Sequence, residues 1–272
     1  MKTLLLDRDY CEASRGLKGR HPARSHFDQT IDTDTIVVTP YGKIIALFLK
    51  QQIIPDLWKP AYRDWKVVND LLDNRATAVG TKSMRRVRND GSLGRRNGVA
   101  NHVLQVIPEA RQGILGYLDD PCREAALSES RPELLYKHVF LIARVDRLYE
   151  RYVPTVHAKQ RAEIERALFW CRLWDTAFST IYLLKNFSTR YHVDTGNFEG
   201  VMTALMAMGD FSGGELVLPR WRIAFALTPG DLLFFDPQNL HGNLPFEGER
   251  LSAAFYCERR IAECGKKRRH SR

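Results

Sequence analysis

The sequence lacks the features that mark secreted, disulfide-rich and membrane-spanning proteins. Its five cysteines are odd in number, scattered and without a CxxC pair, which gives no sign of a disulfide framework or a structural zinc module. The opening MKTLLLDRDY has an apolar run too short for a signal peptide, and no run elsewhere approaches a membrane span. We therefore expect a protein of a reducing compartment, nuclear in a eukaryote and otherwise cytoplasmic, that is neither secreted nor membrane-bound.

Repeats and low-complexity linkers are also absent, so residues 1–272 are expected to form one domain. Residues 1–175 are predicted to be mainly helical, because runs such as SESRPELLYKHVFLIARVDRLYERY carry apolar residues at helical spacing. Residues 176–260 are predicted to be a β-rich core, because short apolar runs such as GVMTALMAM, DLLFF and LSAAFY alternate there with turn residues. Residues 261–272 complete the chain as a basic tail.

Positive charge is abundant and unevenly placed. The net charge is +9, and it concentrates in TKSMRRVRNDGSLGRR and in the terminal ERRIAECGKKRRHSR. Two interpretations stay open at this point: a solvated loop with a frayed tail, or two surfaces that contact a polyanion such as nucleic acid.

The triplet HVD holds a candidate metal site. His192 and Asp194 are two residues apart, so on an extended strand they project to the same side. A ferrous oxygenase needs two histidines and a carboxylate on one face of the ion, and His241, at the polar end of the apolar run in TPGDLLFFDPQNLHGNLP, is the third candidate. An HxD triplet alone is also common at solvated strand ends, so the interpretation depends on the residues that follow.

Arg250 follows His241 by nine residues and opens the apolar run RLSAAFY. The planar guanidinium group of arginine suits a carboxylate, which is what the far end of 2-oxoglutarate presents. Four chemically matched residues in this order favour an oxygenase site over an exposed arginine and a chance triplet.

The ordered motifs HVD, FSGGELVLP, TPGDLLFFDPQNLHGN and RLSAAFY resemble the double-stranded β-helix of iron- and 2-oxoglutarate-dependent dioxygenases. More narrowly, they resemble the TET/JBP family of nucleic-acid base oxygenases, over roughly residues 178–260. The resemblance implies an α+β fold, a single catalytic domain with a jelly-roll core and N-terminal helices packed on one face. It also implies Fe(II) and 2-oxoglutarate as cofactor and co-substrate, and O2 as the oxidant.

The family pattern also implies roles for individual residues. His192, Asp194 and His241 would bind iron, and Arg250 with Ser252 would bind 2-oxoglutarate. Asn197, three residues after the metal-binding aspartate, stands where TET enzymes contact the flipped base, and Tyr256 stands where they stack on it. Without the resemblance, Asn197 would be a turn former and Tyr256 a core aromatic.

Glu258 departs from the family pattern. It occupies the position of a base-contacting histidine in animal TET enzymes. A carboxylate accepts hydrogen bonds, so it favours an exocyclic amino group such as cytosine N4 or adenine N6. The cysteine-rich zinc region of animal TET proteins is absent, and the short step from Asp194 to His241 leaves no room for their long insert, so we expect a compact form nearer to those of fungi, protists or phages.

The predicted function is oxidation of the methyl group of a flipped base, first 5-methylcytosine to 5-hydroxymethylcytosine and further. N6-methyladenine demethylation and thymine hydroxylation are the nearest alternatives, and a protein or small-molecule hydroxylase and a non-catalytic DNA-binding module are alternatives of other classes. The expected partner of a monomeric protein is double-stranded DNA with a methylated base. The expected phosphate contacts are Lys82, Arg85, Arg86, Arg88, Arg95, Arg96, Lys266, Lys267, Arg268 and Arg269.

Overall fold

Two facing sheets and a helical layer make up the fold. The computed structural model describes residues 1–66, 103–118 and 122–265. The strands in these ranges are β1 (Lys2–Leu5), β2 (Gln29–Ile31), β3 (Thr35–Val38), β4 (Ile44–Leu49), β5 (Val103–Leu118), β6 (Arg123–Glu124), β7 (Thr180–Thr189), β8 (Thr203–Gly213), β9 (Leu216–Leu218), β10 (Ile223–Phe225), β11 (Leu232–Phe235), β12 (Gly242–Asn243) and β13 (Phe246–Tyr256). The α-helices are α1 (Cys11–Arg15), α2 (Pro55–Trp65), α3 (Ala126–Ser130), α4 (Glu133–Tyr136), α5 (Val139–Tyr152) and α6 (Pro154–Ile164). None of these helices has both the length and the apolar composition needed to cross a bilayer.

The large sheet has nine strands in the order β1-β3-β4-β11-β8-β13-β7-β5-β6, and the small sheet has four in the order β12-β9-β10-β2. From β4 to β6 all neighbours in the large sheet run antiparallel. The arrangement of a large and a small sheet, with β8 to β13 crossing between them, is that of the predicted double-stranded β-helix. The α+β class is therefore confirmed.

The helices cover one face of the large sheet, as predicted. Ile142, Val145 and Tyr149 of α5 lie in one buried cluster with Met206 of β8 and Phe234 of β11. A second cluster fills the space between the two sheets and includes neighbouring residues of the same strands, such as Leu205 and Leu233. Successive residues of a strand point to opposite faces, which explains why adjacent positions enter different clusters.

Strand β13 divides its side chains in the same way. Those beneath the helices are Leu251, Ala253 and Phe255. Arg250, Ser252 and Tyr256 have the other parity, so the strand directs them toward the small sheet and into the interior of the sandwich. One strand therefore supplies three predicted site residues to one cavity between the sheets.

Residues 1–175 also supply strands to both sheets, in addition to the helices expected there. Strands β1, β3, β4 and β5 belong to the large sheet and β2 to the small sheet. The run IIALFL in β4 is almost wholly buried and pairs with β11. A continuous apolar run has no period that separates a buried strand from a buried helix, and the partner that selects the strand lies far along the chain.

One disulfide is present, although the spacing of the cysteines shows no sign of a disulfide framework. Cys122 and Cys264 form a disulfide with a Cα–Cα distance of 5.4 Å and a sequence separation of 142 residues. It joins the β5–β6 region to the 3-10 helix Ile261–Gly265, which replaces the first part of the predicted basic tail. A pairing over such a separation leaves no local spacing signal in the sequence.

Candidate iron and co-substrate site

Three candidate metal ligands meet at one end of the sandwich, where the chain leaves β7 and enters β12. The backbones of His192 and His241 exchange two hydrogen bonds, N to O 2.9 Å and 3.0 Å. The Asp194 amide donates to the Pro237 carbonyl oxygen at 3.1 Å. These bonds fix the segment after β7 against the turn before β12, so ligands separated by most of the core become neighbours.

The donor atoms have the arrangement of a metal site. Nε2 of His192 lies 3.4 Å from Oδ1 of Asp194, and Nε2 of His241 lies 3.6 Å from Oδ2. Ligand atoms from all three residues fall within 4.8 Å of one another. The two Nδ1 atoms each lie 2.8 Å from a backbone carbonyl oxygen, so Nδ1 carries the proton and the Nε2 lone pair faces the carboxylate. Two imidazoles and one carboxylate on one side fit Fe(II).

Burial and neighbouring charges set the protonation of the two histidines differently. Burial, aided by the neighbouring His192, lowers the pKa of His241 to about 4. Burial also lowers the pKa of His192, but the hydrogen bond and charge of Asp194 outweigh it and leave that pKa above its usual value. His241 is therefore a neutral donor at physiological pH, while the carboxylate attracts positive charge to the same point.

Arg250, a predicted co-substrate residue, is buried with unmet hydrogen-bonding capacity. Arg250 is 3% exposed, and its buried Nε has no hydrogen-bond partner among the described residues. The guanidinium lies 5.4 Å from the ring centre of Phe211 and 5.5 Å from that of Phe246. Burial lowers the pKa of Arg250 to about 10, so the group still carries its charge at neutral pH. A buried cation that has only the nearby charge of Glu215, and no ion pair among the described residues, is costly, and a carboxylate such as that of 2-oxoglutarate would satisfy it.

Ser252 lies two residues beyond Arg250 on β13 and is also buried. The Arg250 amide donates to Oδ1 of Asn186 at 2.9 Å, which fixes the strand at this point. Asn186 has a left-handed backbone with φ of 55°, a local distortion of β7 beside the pocket. The structure therefore brings both predicted co-substrate residues to one face of one strand.

The three predicted base-reading residues are neighbours as well. Asn197 and Glu258 form a backbone bridge, and Nδ2 of Asn197 donates to Oγ1 of Thr203 at 2.6 Å. The Tyr256 hydroxyl donates to Oε1 of Glu258 at 3.2 Å. Burial first, and then the charge of Glu258, raise the pKa of Tyr256 well above its usual value, so the hydroxyl keeps its proton. Their contacts with a base stay a prediction.

One positioning pair went unnoticed in the sequence. Oδ1 of Asn243 accepts hydrogen bonds from the Thr189 amide at 2.9 Å and the Thr189 hydroxyl at 2.7 Å, all within buried residues. Between His241 and Asn243, a Cβ on Gly242 would come within 3.0 Å of the Thr189 carbonyl oxygen. The pair therefore ties β12 to the end of β7 beside both histidines. Its signal in the sequence was the HGN triplet, in which Asn243 follows His241 by two residues.

The predicted phosphate contacts cannot be placed in the same way. Lys82, Arg85, Arg86, Arg88, Arg95, Arg96, Lys266, Lys267, Arg268 and Arg269 all lie outside the described residues. They remain predictions.

Comparison with known proteins gives a family match. The model of the TET/JBP family, described as the oxygenase domain of the 2OGFeDO superfamily, matches residues 118–259. This match covers the site residues and slightly more than half of the chain.

Curated relatives are kinetoplastid proteins. The chain is 30% identical over 223 residues to the bifunctional helicase and thymine dioxygenase JBP2 of Trypanosoma brucei brucei, covering 79% of this chain and 18% of that protein. It is 36% identical over 139 residues to JBP2 of Leishmania major, covering 48% of this chain and 12% of that protein. Thymine dioxygenase JBP1 of Leishmania infantum is 29% identical over 166 residues, covering 56% of this chain and 20% of that protein. The chain thus spans a fifth or less of the length of these relatives.

Among solved structures, NgTET1 in complex with 5mC DNA matches with a TM-score of 0.57 and 11% identity, covering 96% of this chain and 83% of that chain. At this identity the likeness concerns the fold. It extends over the strands of the first half as well as the core.

Proposed function

The chain belongs to the TET/JBP family of iron- and 2-oxoglutarate-dependent oxygenases, and from this premise we propose that it oxidises the methyl group of a flipped base in DNA. One observation carries the proposal: His192, Asp194 and His241 form a ligand cluster at one end of the sandwich, and β13 directs into the same sandwich a buried arginine whose Nε lacks a partner among the described residues. The names of the curated relatives, which are dioxygenases of a base, support the same reaction class.

The residues of the proposed site have different chemical roles. His192, Asp194 and His241 would hold Fe(II), and Arg250 with Ser252 would hold the far carboxylate of 2-oxoglutarate. Bound iron and 2-oxoglutarate supply the oxidation, in which O2 converts a methyl C–H into C–OH and 2-oxoglutarate into succinate and carbon dioxide. The protein itself orients the methyl group and keeps water away from it.

The base must leave the duplex to reach this cavity. Flipping costs on the order of a few kcal/mol, which stacking and hydrogen bonds in the pocket can offset. Tyr256 supplies a ring directed into the sandwich, and Asn197 supplies an amide at its edge. The hydrogen bond from Tyr256 to Glu258 holds the Glu258 carboxylate beside these two residues.

We take 5-methylcytosine as the first candidate substrate. The Glu258 carboxylate accepts hydrogen bonds, and cytosine offers its N4 amino group as a donor. Thymine is the second candidate, because the curated relatives are thymine dioxygenases and thymine carries its methyl group on the same ring carbon. N6-methyladenine, which also offers a nitrogen-bound hydrogen, is the third substrate to compare.

The test is a turnover assay on matched duplexes that contain 5-methylcytosine, only unmodified bases including thymine, or N6-methyladenine. Purified protein is incubated with Fe(II), 2-oxoglutarate and each duplex, and succinate and nucleosides are measured by mass spectrometry. We expect 5-hydroxymethylcytosine with matching succinate from the first duplex. Hydroxymethyluracil from thymine would move the substrate to the second candidate. Succinate without any oxidised base would contradict the proposal and point to a protein or small-molecule substrate.

A further inference from the structure

A further basic segment, in addition to the two identified in the sequence, lies among the described residues near the N-terminus. Residues 13–27, which we call the basic strap, contain no aspartate or glutamate. The strap's basic residues and histidines are Arg15, Lys18, Arg20, His21, Arg24 and His26. The strap is therefore a short segment whose charged residues all have the same sign.

The strap is fastened to the segments that carry the metal-binding histidines. The Gly19 amide donates to the Tyr191 carbonyl oxygen at 2.8 Å, and the Tyr191 amide donates to the Arg20 carbonyl oxygen at 3.0 Å. Tyr191 directly precedes His192. On the other side, Cγ of Pro22 lies 3.0 Å from where a Cβ on Gly242 would be, directly after His241. The strap therefore lies against the two segments that carry His192 and His241.

Its apolar side chains point inward and its charges point outward. Leu17 and Phe27 pack in a buried cluster with Tyr191. Arg15, Lys18, Arg20 and Arg24 are exposed. This division fixes the charges on the surface of a firmly anchored segment.

The four charges lack ion-paired counterions in the described part of the chain; Asp28, whose pKa the hydrogen bond and charge of Arg222 and then the charge of Arg24 lower, is paired with Arg222. None of Arg15, Lys18, Arg20 and Arg24 forms an ion pair there. Arg24 uses Nη1 only to donate to the Phe27 carbonyl oxygen at 3.1 Å.

Two arginines beside the strap behave differently. Arg220 pairs with Asp9 at 2.6 Å, and Arg222 pairs with Asp28 at 2.5 Å. The pKa of His26 is lowered by its burial and then by the charges of Arg222 and Arg20, which shows a positive field along the strap. Like charges that share a surface without counterions repel, so a polyanion would bind there favourably.

We propose that the basic strap binds the phosphates of the DNA backbone beside the flipped nucleotide. The inference rests on the proposed function, since a base that reaches the iron site brings its flanking phosphates to the border of that site. It names a surface that is distinct from the residues 81–96 and 266–269 predicted from the sequence. The alternative is a solvated loop with no ligand, which the experiment below separates.

The test compares two triple variants with equal changes of charge. The strap variant is Lys18→Gln, Arg20→Gln and Arg24→Gln. The control variant changes Lys137, Arg147 and Arg151 to Gln; these are exposed residues on the helical layer that also lack ion pairs in the described ranges. Each variant removes one lysine and two arginines.

Binding to a dye-labelled duplex with one 5-methylcytosine is measured by fluorescence anisotropy over a series of salt concentrations, without iron or 2-oxoglutarate. We expect the strap variant to raise Kd about tenfold or more and to lower the slope of log K against log salt by about 0.9 for each lost phosphate contact. The control variant should stay within about twofold of the wild type, since exposed charges away from the duplex are screened. A double variant, Arg20→Lys with Arg24→Lys, keeps the charge and should keep the slope.

Each result decides the proposal. An unchanged Kd and slope in the strap variant, with a thermal unfolding midpoint like the wild type, would overturn it, as would an equal loss in the control variant. Wild-type protein that oxidises no base but binds DNA through the strap contradicts only the proposed function. Wild-type protein that oxidises 5-methylcytosine while the strap variant binds normally contradicts only the strap. Absence of any duplex binding contradicts both.

Discussion

Two predicted parts of the site differ in how their polar groups are satisfied: the proposed co-substrate pocket around Arg250, and the proposed base-reading rim of Asn197, Tyr256 and Glu258. At the rim, Asn197 donates to Thr203 and Tyr256 donates to Glu258. In the pocket, Nε of Arg250 is buried without a partner. In the pocket, a ligand would therefore supply a hydrogen-bond partner that the described residues do not. At the rim, a base would instead replace hydrogen bonds that the protein already makes internally. Changes in the deep part of the site should have large effects, and changes at the rim should alter selectivity.

The largest effect is expected for the metal-ligand group of His192, Asp194 and His241. Asp194→Ala removes the carboxylate that lies within 3.6 Å of both histidine Nε2 atoms. We expect base oxidation to fall below detection and Fe(II) affinity to drop strongly, because the site then lacks the carboxylate of the two-histidine, one-carboxylate triad. Anaerobic Fe(II) titration checks the metal directly, and retained metal affinity would contradict the ligand assignment.

Arg250→Met should separate the pocket from the rim. Without 2-oxoglutarate, removal of an uncompensated buried charge should leave the variant at least as stable as the wild type. Addition of 2-oxoglutarate should raise the unfolding temperature of the wild type but not of the variant, and the KM for 2-oxoglutarate should rise by about thirtyfold or more, as expected for about 2 kcal/mol from a buried charge pair. Scanning fluorimetry with and without 2-oxoglutarate measures this, and an equal shift in both proteins would refute the pocket.

An intermediate effect is expected for the pair that braces β12. Asn243→Ala leaves the donors of Thr189 without their acceptor and loosens the strand that carries His241. Fe(II) affinity should fall by about tenfold, as for other residues that orient metal ligands. The matched control is Thr189→Ser, which keeps the hydroxyl and should keep the Fe(II) affinity. An equal loss of Fe(II) affinity in both variants would argue against a positioning role for the Asn243–Thr189 hydrogen bonds.

The smallest change in total rate, and the clearest change in selectivity, is expected at the rim. Glu258→His replaces an acceptor by a side chain that can donate, so the ratio of kcat/KM for 5-methylcytosine to that for thymine should shift by about tenfold. Competition assays with both duplexes in one reaction measure the ratio. An unchanged ratio would show that Glu258 does not read the base.

The sequence predicted the metal cluster well because its ligands sit at strand ends in a fixed order. His192 and Asp194 end one apolar run and His241 ends another, and the strands from residue 178 onward matched these runs. Arg250 was predicted from the apolar run RLSAAFY that it opens, and it lies inside β13. The order of residues does not reveal whether the Arg250 Nε has a hydrogen-bond partner, because that depends on which side chains surround it after folding.

The parts that were not predicted depend on distant partners. The run IIALFL forms a strand because it pairs with β11, in which the partner of Leu49 is Leu232, 183 residues later in the chain. Cys122 and Cys264 meet only because the C-terminal 3-10 helix returns to the β5–β6 region. The basic strap was visible as composition, but its position beside Tyr191 follows from two backbone hydrogen bonds that no local pattern encodes.

The most direct measurement is the molar ratio of succinate to oxidised base in one reaction on a methylated duplex. An iron site coupled to a flipped base predicts one succinate for each oxidation step on the base, with both products lost in Asp194→Ala. Succinate that forms at the same rate with and without the duplex, and no oxidised nucleoside, would contradict the account.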